Sequence, residues 1–220
     1  MTHTHDSAQA SRAPIRRRRS QAERRDESER QLVEATLKVV AEHGVSAATF
    51  DEIAREAGLS RGLVTQRFGS KRGLIEAVIA YLHRKREAIM QAEQVDQMPA
   101  FEAIAHYIDG HLRAQTAEQD GPAYFMLLAS SVANAMELRD LFADSHERVR
   151  VRLRDLLRLG QTRGEIRRDI DADATALTIG SLLLGVSIQH LVDPATRLEP
   201  IRTEALAILK RALAGTPKAQ

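Results

Sequence analysis

Residues 49–71, TFDEIAREAGLSRGLVTQRFGSK, decide the fold of this chain. Thr49 followed three residues later by Glu52 predicts a capping box, which opens a short helix that stops at Gly58. Ser60 is suited to cap a second short helix, because its side chain accepts a hydrogen bond from the free amides of the first turn. Glycine permits the tight turn between the two helices. The stretch therefore predicts a helix-turn-helix.

Helical spacing continues on both sides of this stretch. Upstream, apolar residues recur at helical intervals from Glu27 until Gly44, which lies where a helix C-cap belongs. Downstream, Gly69 and Ser70 separate the second short helix from a long amphipathic helix that begins at Lys71. No strand pattern appears, so we expect an all-α protein of about nine helices. The remaining predicted helices cover about residues 99–116, 121–134, 137–163, 172–192 and 199–213.

The composition limits what the chain can be. Its 220 residues carry a net charge of +2, so affinity for nucleic acid must come from local arginine clusters such as residues 16–19. The absence of cysteine excludes disulfides, thiolate zinc sites and cysteine nucleophiles. The uncharged stretch 174–189 is interpreted as too short and too polar for a membrane span, and no apolar signal segment precedes the arginines. We therefore expect a cytoplasmic protein without a membrane partner.

Four motifs follow a family pattern. They are LVEA at 32–35 leading into AEHG at 41–44, TFDEIA at 49–54, AGLSRG at 57–62 and FGSK at 68–71. Over about residues 27–87, and without a gap, the chain resembles the TetR family of transcriptional repressors. The resemblance implies a homodimer that binds double-stranded operator DNA with an inverted repeat and is released by a small, largely hydrophobic effector. Beyond residue 87 the resemblance is architectural only.

The predicted helices and this resemblance divide the chain into four parts. Residues 1–26 hold few large apolar side chains and are predicted to form a disordered basic arm. Residues 27–87 form the helix-turn-helix domain, residues 88–214 an effector-binding and dimerisation domain, and residues 215–220 a flexible tail. The arginines of the arm either contact DNA or only keep the chain soluble.

The resemblance also indicates which residues face DNA. The helix from Arg61 to Phe68 would enter the major groove, and Thr49 and Lys71 would hold phosphates. Gln66 and Arg67 are suited to bidentate contacts with adenine and guanine, although the family commonly places aromatic residues or histidine at 65–67. The predicted DNA contacts are Thr49, Ser60, Arg61, Gly62, Thr65, Gln66, Arg67 and Lys71, together with Arg16, Arg17, Arg18 and Arg19 of the arm.

The C-terminal helices carry two further predicted surfaces. Aromatic and apolar residues at helical spacing would enclose the effector, with core packing as the alternative role for each. These residues are Phe101, Ile104, Ile108, Tyr124, Phe125 and Phe142, with Asn134 and Gln189 as polar anchors. The last two helices are apolar around most of their circumference, which indicates a subunit interface. Its predicted members are Leu182, Leu184, Gly185, Ile188, Ile201, Ala205, Ile208 and Leu209.

Other constellations are interpreted as structural. Asp169, Asp171 and Asp173 alternate like the start of a calcium loop, but Ala174 replaces the glycine that such a loop needs, so helix capping explains them better. We therefore predict no metal and no cofactor. An enzyme of helical fold is the alternative class, but the chain has no nucleophile elbow, Walker loop or dinucleotide fingerprint. A DNA-binding protein without an effector is a third possibility.

Overall fold

The computed structural model describes residues 20–116, 120–133 and 135–214. Over these ranges the chain forms nine α-helices and three short 3-10 turns, with an isolated bridge between Ile166 and Ala214 and no strand. The all-α prediction is confirmed. The helices are α1 Gln21–His43, α2 Phe50–Ala57, α3 Arg61–Phe68, α4 Lys71–Ala92, α5 Ala100–Thr116, α6 Asp120–Ala133, α7 Arg139–Arg163, α8 Ala172–Val192 and α9 Leu198–Leu213.

The first helix begins earlier than the sequence predicts. Ser20 caps α1 through a reciprocal capping box, in which its Oγ accepts from the Glu23 amide at 3.1 Å and its amide donates to the Glu23 carboxylate at 2.6 Å. The expectation of disorder through residue 26 is therefore wrong for residues 21–26, because capping starts a helix without apolar side chains. Arg16 to Arg19 and residues 215–220 lie outside the described residues.

The predicted caps around the two short helices largely hold. Thr49 Oγ1 accepts from the Glu52 amide at 3.2 Å, and Ser60 Oγ accepts from the Leu63 amide at 3.2 Å. The capping box at α2 is only half formed, because the Glu52 carboxylate pairs with Arg55 and the Thr49 amide donates to the Ala47 carbonyl at 2.7 Å. One side-chain cap for each helix is enough to satisfy amides of the first turn.

Two apolar cores hold the helices together. The first joins α1, α2, α3 and α4 and continues into α6 and α7, so the N-terminal helices share buried surface with the rest of the chain. The second lies among α5, α7, α8 and α9. Each fully buried aliphatic side chain contributes about 1.5–3 kcal/mol. The largest fully buried side chains of the first core include Leu32, Leu37, Ile53, Leu74, Ile75 and Phe142. Those of the second core include Ile104, Ile108, Leu153 and Leu157.

The helix α8 is longer than the uncharged stretch 174–189 that the sequence analysis judged too short and too polar for a membrane span. It spans 21 residues with a mean hydropathy of 1.5 over its most apolar window, which meets the length and composition of a membrane span. However, it packs against α5, α6 and α7 and buries Ile179 and Leu183 in the second core. This packing buries only one side of α8, and the opposite face remains exposed.

Candidate nucleic-acid interface and effector region

The turn between α2 and α3 sets the angle of the second helix. Gly58 adopts a left-handed conformation with φ 65° and ψ 29°, which a residue with a Cβ adopts only at a cost. The Leu59 amide then donates to the Ala54 carbonyl at 2.9 Å and closes the turn. Val64 is fully buried in the first core, and Leu63 and Phe68 are half-buried, so these three residues hold one side of α3.

The opposite side of α3 is exposed and polar. Arg61 pairs with Asp51 of α2 at 3.3 Å, and the Thr65 hydroxyl donates to the Arg61 carbonyl at 3.2 Å. A short helix with one buried side and one exposed polar side has the form of a major-groove reading helix. The predicted contacts that the structure places on this surface are Ser60, Arg61, Gly62, Thr65 and Gln66.

Arg67 does not share that surface. Its Nη2 donates to Ser28 Oγ of α1 at 3.1 Å, and its Nε is buried without a hydrogen-bond partner among the described residues. The side chain is half-buried against α1, whereas its neighbour Gln66 is exposed. The geometry therefore does not present Arg67 and Gln66 as two base-reading residues, because the Arg67 side chain is turned towards Ser28 of α1.

The two predicted phosphate contacts lie at the first turns of α2 and α4. Thr49 and Lys71 are both exposed, and Lys71 Nζ donates to the Val45 carbonyl at 3.4 Å, just before α2 begins. Sequence reasoning missed Gly73, where an added Cβ would lie 2.2 Å from the Phe68 carbonyl oxygen. Gly73 therefore lets α4 start close against the end of α3.

The aromatic residues predicted for the effector region divide between the two cores. Tyr124, Phe125 and Phe142 form edge-to-face contacts, with ring centroids 5.1 Å apart for Tyr124 and Phe125 and 5.4 Å apart for Tyr124 and Phe142. Ile104 and Ile108 belong to the second core, and Phe101 packs against it half-buried. The structure thus brings three of these six residues into one cluster and places the other three in a second.

Buried polar groups accompany the aromatic cluster. The Tyr124 hydroxyl lies 2.9 Å from Ser145 Oγ, which lies 2.8 Å from His83 Nε2, so one hydroxyl joins α4, α6 and α7. On α5, His111 Nε2 lies 2.8 Å from Ser187 Oγ of α8. Burial lowers the pKa of His111 to about 3, so this imidazole is neutral at physiological pH.

Sequence reasoning predicted Tyr124 but missed the other polar groups, which are His83, Ser145, His111 and Ser187, and chose Asn134 and Gln189 as anchors. Arg86 of α4 lies over the Tyr107 ring, with Cζ 4.8 Å from its centroid. His111 follows the predicted Ile108 by three residues on α5, a spacing that could have indicated it. The predicted anchor Gln189 is wrong, because it is exposed on α8. Asn134 lies outside the described residues.

Comparison with known proteins identifies the family. The family model described as "Bacterial regulatory proteins, tetR family" matches residues 32–78. The model described as "BetI-type transcriptional repressor, C-terminal" matches residues 102–217, more than half of the chain. The chain belongs to the TetR family. It is a transcriptional regulator with an N-terminal helix-turn-helix, as the sequence predicts, and it is not an enzyme.

Relatives and solved structures of the TetR family agree with this assignment. The HTH-type transcriptional regulator BetI from Vibrio campbellii is 29% identical over 170 residues, which cover 74% of this chain and 80% of the relative. A TetR-family regulator from Rhodococcus sp. has the same fold, with a TM-score of 0.77, 23% identity and coverage of 86% of this chain and 100% of that chain. A regulator from Saccharomonospora viridis in complex with choline gives a TM-score of 0.73, 22% identity and coverage of 87% and 100%.

The last two helices of this TetR-family protein expose apolar side chains. The exposed fractions are 59% for Leu177, 39% for Leu182 and 50% for Ile208. An added Cβ at Gly185 would meet nothing within 4 Å, so this side of α8 is open. Sequence reasoning missed Leu177 and Val192, both exposed on α8.

Other residues predicted for the dimer interface pack within the chain. Leu209 is buried in the second core, because α9 lies against α5, so its assignment to the interface is wrong. Leu184 and Ile188 are half-buried against the first core, Ile201 is half-buried against the second, and Ala205 is half-buried. The exposed apolar face is therefore narrower than the sequence predicts.

Among the described residues, two ion pairs connect α4 to the C-terminal helices, one between Lys85 and Asp120 of α6 at 2.7 Å and one between Arg72 and Asp140 of α7. Arg72 at the start of α4 holds the Asp140 carboxylate of α7 with two bonds of 2.8 and 2.6 Å and also donates to the Glu137 carbonyl. The guanidinium lowers the pKa of Asp140 to about 2. Since α1 also packs against α6, a shift of α6 or α7 acts on the helix-turn-helix through more than one contact.

Asp169, Asp171 and Asp173, at or just before the start of α8, cap this helix or form ion pairs with arginines. Asp171 Oδ1 accepts from the Asp173 amide at 2.8 Å and from the Ala174 amide at 3.2 Å, which confirms helix capping. Asp173 forms ion pairs with Arg158 at 2.7 Å and with Arg150. Asp169 forms an ion pair with Arg167.

Proposed function

We propose that this protein is a homodimeric repressor that binds an inverted-repeat operator and releases it when a small, largely hydrophobic effector enters the C-terminal helices. The observation that carries the proposal is the exposed polar side of α3, held in place by buried Val64. Together with the family assignment, this surface favours reading of base edges in the major groove. A cytoplasmic location fits such a role.

The proposed DNA contacts fall into two groups with different roles. Gln66, exposed on α3, is long enough to make a bidentate contact with adenine, and Arg61 and Thr65 flank it. Thr49 and Lys71 would hold phosphates at the starts of α2 and α4, where helix N-termini favour anions. The first group would choose the sequence, and the second would add affinity for any duplex.

The exposed apolar face of α8 and α9 supports the homodimer. Large exposed apolar patches are uncommon on monomeric proteins, and a two-fold axis would bury the same patch on both subunits. Within the face we assign contacts to Leu177, Leu182, Gly185 and Ile208, whose exposure in the single chain leaves them free to meet a partner.

The buried groups around Tyr107 indicate the class of effector. The Arg86 guanidinium has no carboxylate within ion-pair distance in the described part of the chain, and burial and, to a smaller extent, the charge of Arg86 lower the pKa of His111. A quaternary ammonium would meet a like charge here, although the structural neighbour described above binds choline. We therefore propose an apolar effector that carries a carboxylate or another hydrogen-bond acceptor.

Selection of duplexes from a random DNA pool tests operator binding. The expected product is an inverted repeat whose half-sites are about one helical turn apart, because two α3 helices of a symmetric dimer reach successive grooves. Gln66→Ala should relax the choice at one base pair and cost about 1–3 kcal/mol of operator binding. Lys71→Ala should weaken all duplexes alike. Recovery of no preferred sequence would contradict the proposal.

Effector release is tested separately with ligands matched in apolar size. Octanoate and octyltrimethylammonium share an eight-carbon chain and differ in the sign of the headgroup charge. Choline is tested as well, because it is the ligand of the Saccharomonospora viridis regulator. We expect octanoate to raise the melting temperature and lower operator affinity, and Arg86→Gln to abolish both effects. Release by the cations instead would contradict the proposed class while leaving the release mechanism intact.

A further inference from the structure

A cleft of about 570 Å³ opens between the first turns of α1 and the end of α3. We call it the arginine cleft, because arginines make up three of its five lining residues. Its lining contains no carboxylate. The residues are Gln21, Arg24, Arg25, Gln66 and Arg67.

Two of the three guanidinium groups of the arginine cleft, those of Arg24 and Arg67, donate hydrogen bonds, and both acceptors are uncharged oxygen atoms. Arg24 Nε donates to the Ser20 carbonyl at 3.4 Å, and Arg67 Nη2 donates to Ser28 Oγ at 3.1 Å. Within the described ranges, none of the three arginines forms an ion pair. One turn further along α1, by contrast, Arg30 is paired with Glu27 at 2.7 Å and with Glu34 at 2.9 Å. The positive charges of the cleft are therefore not neutralised by ion pairs among the described residues, whereas that of Arg30 is.

Arg67 is held in position within this cleft. The bond to Ser28 fixes one end of its guanidinium, and its Nε is buried without a partner. A buried donor without a partner is costly unless a ligand satisfies it. An anion with several acceptor oxygens would satisfy the free donors and would offset the repulsion among three like charges.

We propose that the arginine cleft receives one backbone phosphate of the operator, next to the bases that α3 contacts. The position supports DNA as the source of the anion, because Gln66 both lines the cleft and belongs to the exposed polar side of α3. Duplex DNA presents phosphates along both edges of the groove that α3 would enter. Arg67 is then a phosphate contact, and the first turns of α1 belong to the interface. The inference rests on the proposed function.

The consequence for Arg67 differs from the sequence prediction. A base-reading arginine, when replaced, reduces affinity mainly for the cognate site, whereas replacement of a phosphate-binding arginine reduces affinity for every duplex. Replacing a phosphate-binding arginine also makes the operator affinity less dependent on salt, because fewer counterions are released.

The test measures operator and scrambled duplex binding by the full chain at several salt concentrations. We expect Arg67→Ala, and separately the Arg24→Ala/Arg25→Ala double variant, to weaken both duplexes by the same factor. The slope of log K against log salt should become shallower by about one for each phosphate that the variant no longer binds. Arg30→Ala is the matched control on α1 and should leave the slope unchanged. Arg24 and Arg25 are exposed, so the double variant tests the cleft even if Arg67→Ala impairs folding.

A duplex with one phosphate replaced by neutral methylphosphonate locates the phosphate that the cleft binds. At the correct position, the replacement should weaken wild-type binding and should have no further effect on Arg67→Ala. Weaker binding confined to the operator would show that Arg67 reads a base, and an unchanged salt slope would show that the cleft does not touch DNA. Stabilisation by inorganic phosphate with an unchanged slope would instead assign a free-anion site. If the wild type binds no DNA, the proposed function fails, whereas wild-type binding with unaffected variants refutes only the cleft.

Discussion

The DNA-binding helices and the last two helices differ in whether their large apolar side chains are buried within the chain. In α1, α2 and α3, the large apolar side chains are buried or half-buried, and the exposed positions are polar. In α8 and α9, Leu177, Val192 and Ile208 remain exposed although neighbouring residues are buried. The N-terminal helices complete their apolar contacts within one chain, whereas the C-terminal helices leave large apolar side chains exposed in the single chain.

The two regions also differ in what polar groups they bury. The first core buries Thr36, whose hydroxyl donates to the Leu32 carbonyl at 2.7 Å, so the polar group is satisfied within its own helix. In the effector region Ser187 of α8 is buried, and its partner His111 of α5 and Arg86 of α4 are half-buried. Such cross-helix pairs depend on the relative positions of helices. We therefore expect a ligand that enters between these helices to change their packing.

Placing a charge on the exposed apolar face should have the largest effect. We expect Leu177→Glu or Ile208→Glu to reduce the sedimenting mass from twice 24.4 kDa to 24.4 kDa. Operator affinity should fall on the order of 100-fold, because two half-site contacts are no longer linked. Lys210→Glu, exposed on another side of α9, is the control. A variant that stays dimeric would show that the exposed face is not the interface.

Truncating a buried residue of the DNA-binding helices should show that their apolar contacts are complete. Ile53→Ala should lower the free energy of unfolding by about 2–5 kcal/mol, because Ile53 is fully buried in α2. Ile89→Ala, at an exposed position of α4, should change it by less than about 0.5 kcal/mol. Denaturant unfolding measures both. Equal losses of stability would contradict the burial on which the comparison rests.

Local signals predicted the fold well, and tertiary contacts account for most of the errors. Ser60 and Gly69 bound α3 where the sequence places it, because capping depends on residues within one turn. The orientation of Arg67 depends on Ser28, which lies 39 residues earlier. The burial of Leu209 depends on α5, and the exposure of Gln189 depends on which side of α8 meets α7. Apolar periodicity identifies such helices without fixing their rotation.

The buried histidine should make the stability of the protein sensitive to acid. The folded pKa of His111, about 3, lies below the ordinary value of 6.5, so the unfolded chain binds the proton first. Stability should therefore fall as the pH drops from about 6.5 towards 3, with His111 contributing up to about 1.4 kcal/mol per pH unit. His111→Gln should flatten this part of the profile, measured by denaturant unfolding. His43→Gln, at an exposed position, should leave the profile unchanged.

The smallest expected effect is at the ion pair between Arg72 of α4 and Asp140 of α7. Asp140→Asn removes the carboxylate that Arg72 holds, at an exposed site where such pairs add little stability, so the melting temperature at pH 7 should fall by no more than a few degrees. Because the folded pKa of Asp140 is about 2, below its ordinary 3.8, the pair contributes above pH 4 and is lost as the pH falls towards 2.

The difference in melting temperature between the wild type and Asp140→Asn should therefore shrink below about pH 4. Glu137→Gln is the matched control, because Arg72 contacts only the backbone carbonyl of Glu137 and this variant keeps that acceptor. If the pair transmits movement of α7 to the helix-turn-helix, Asp140→Asn should also reduce the effect of octanoate on operator affinity several-fold, and Glu137→Gln should not. An unchanged response to octanoate would assign the coupling to the other contacts, which include the packing of α1 on α6 and the Lys85–Asp120 pair.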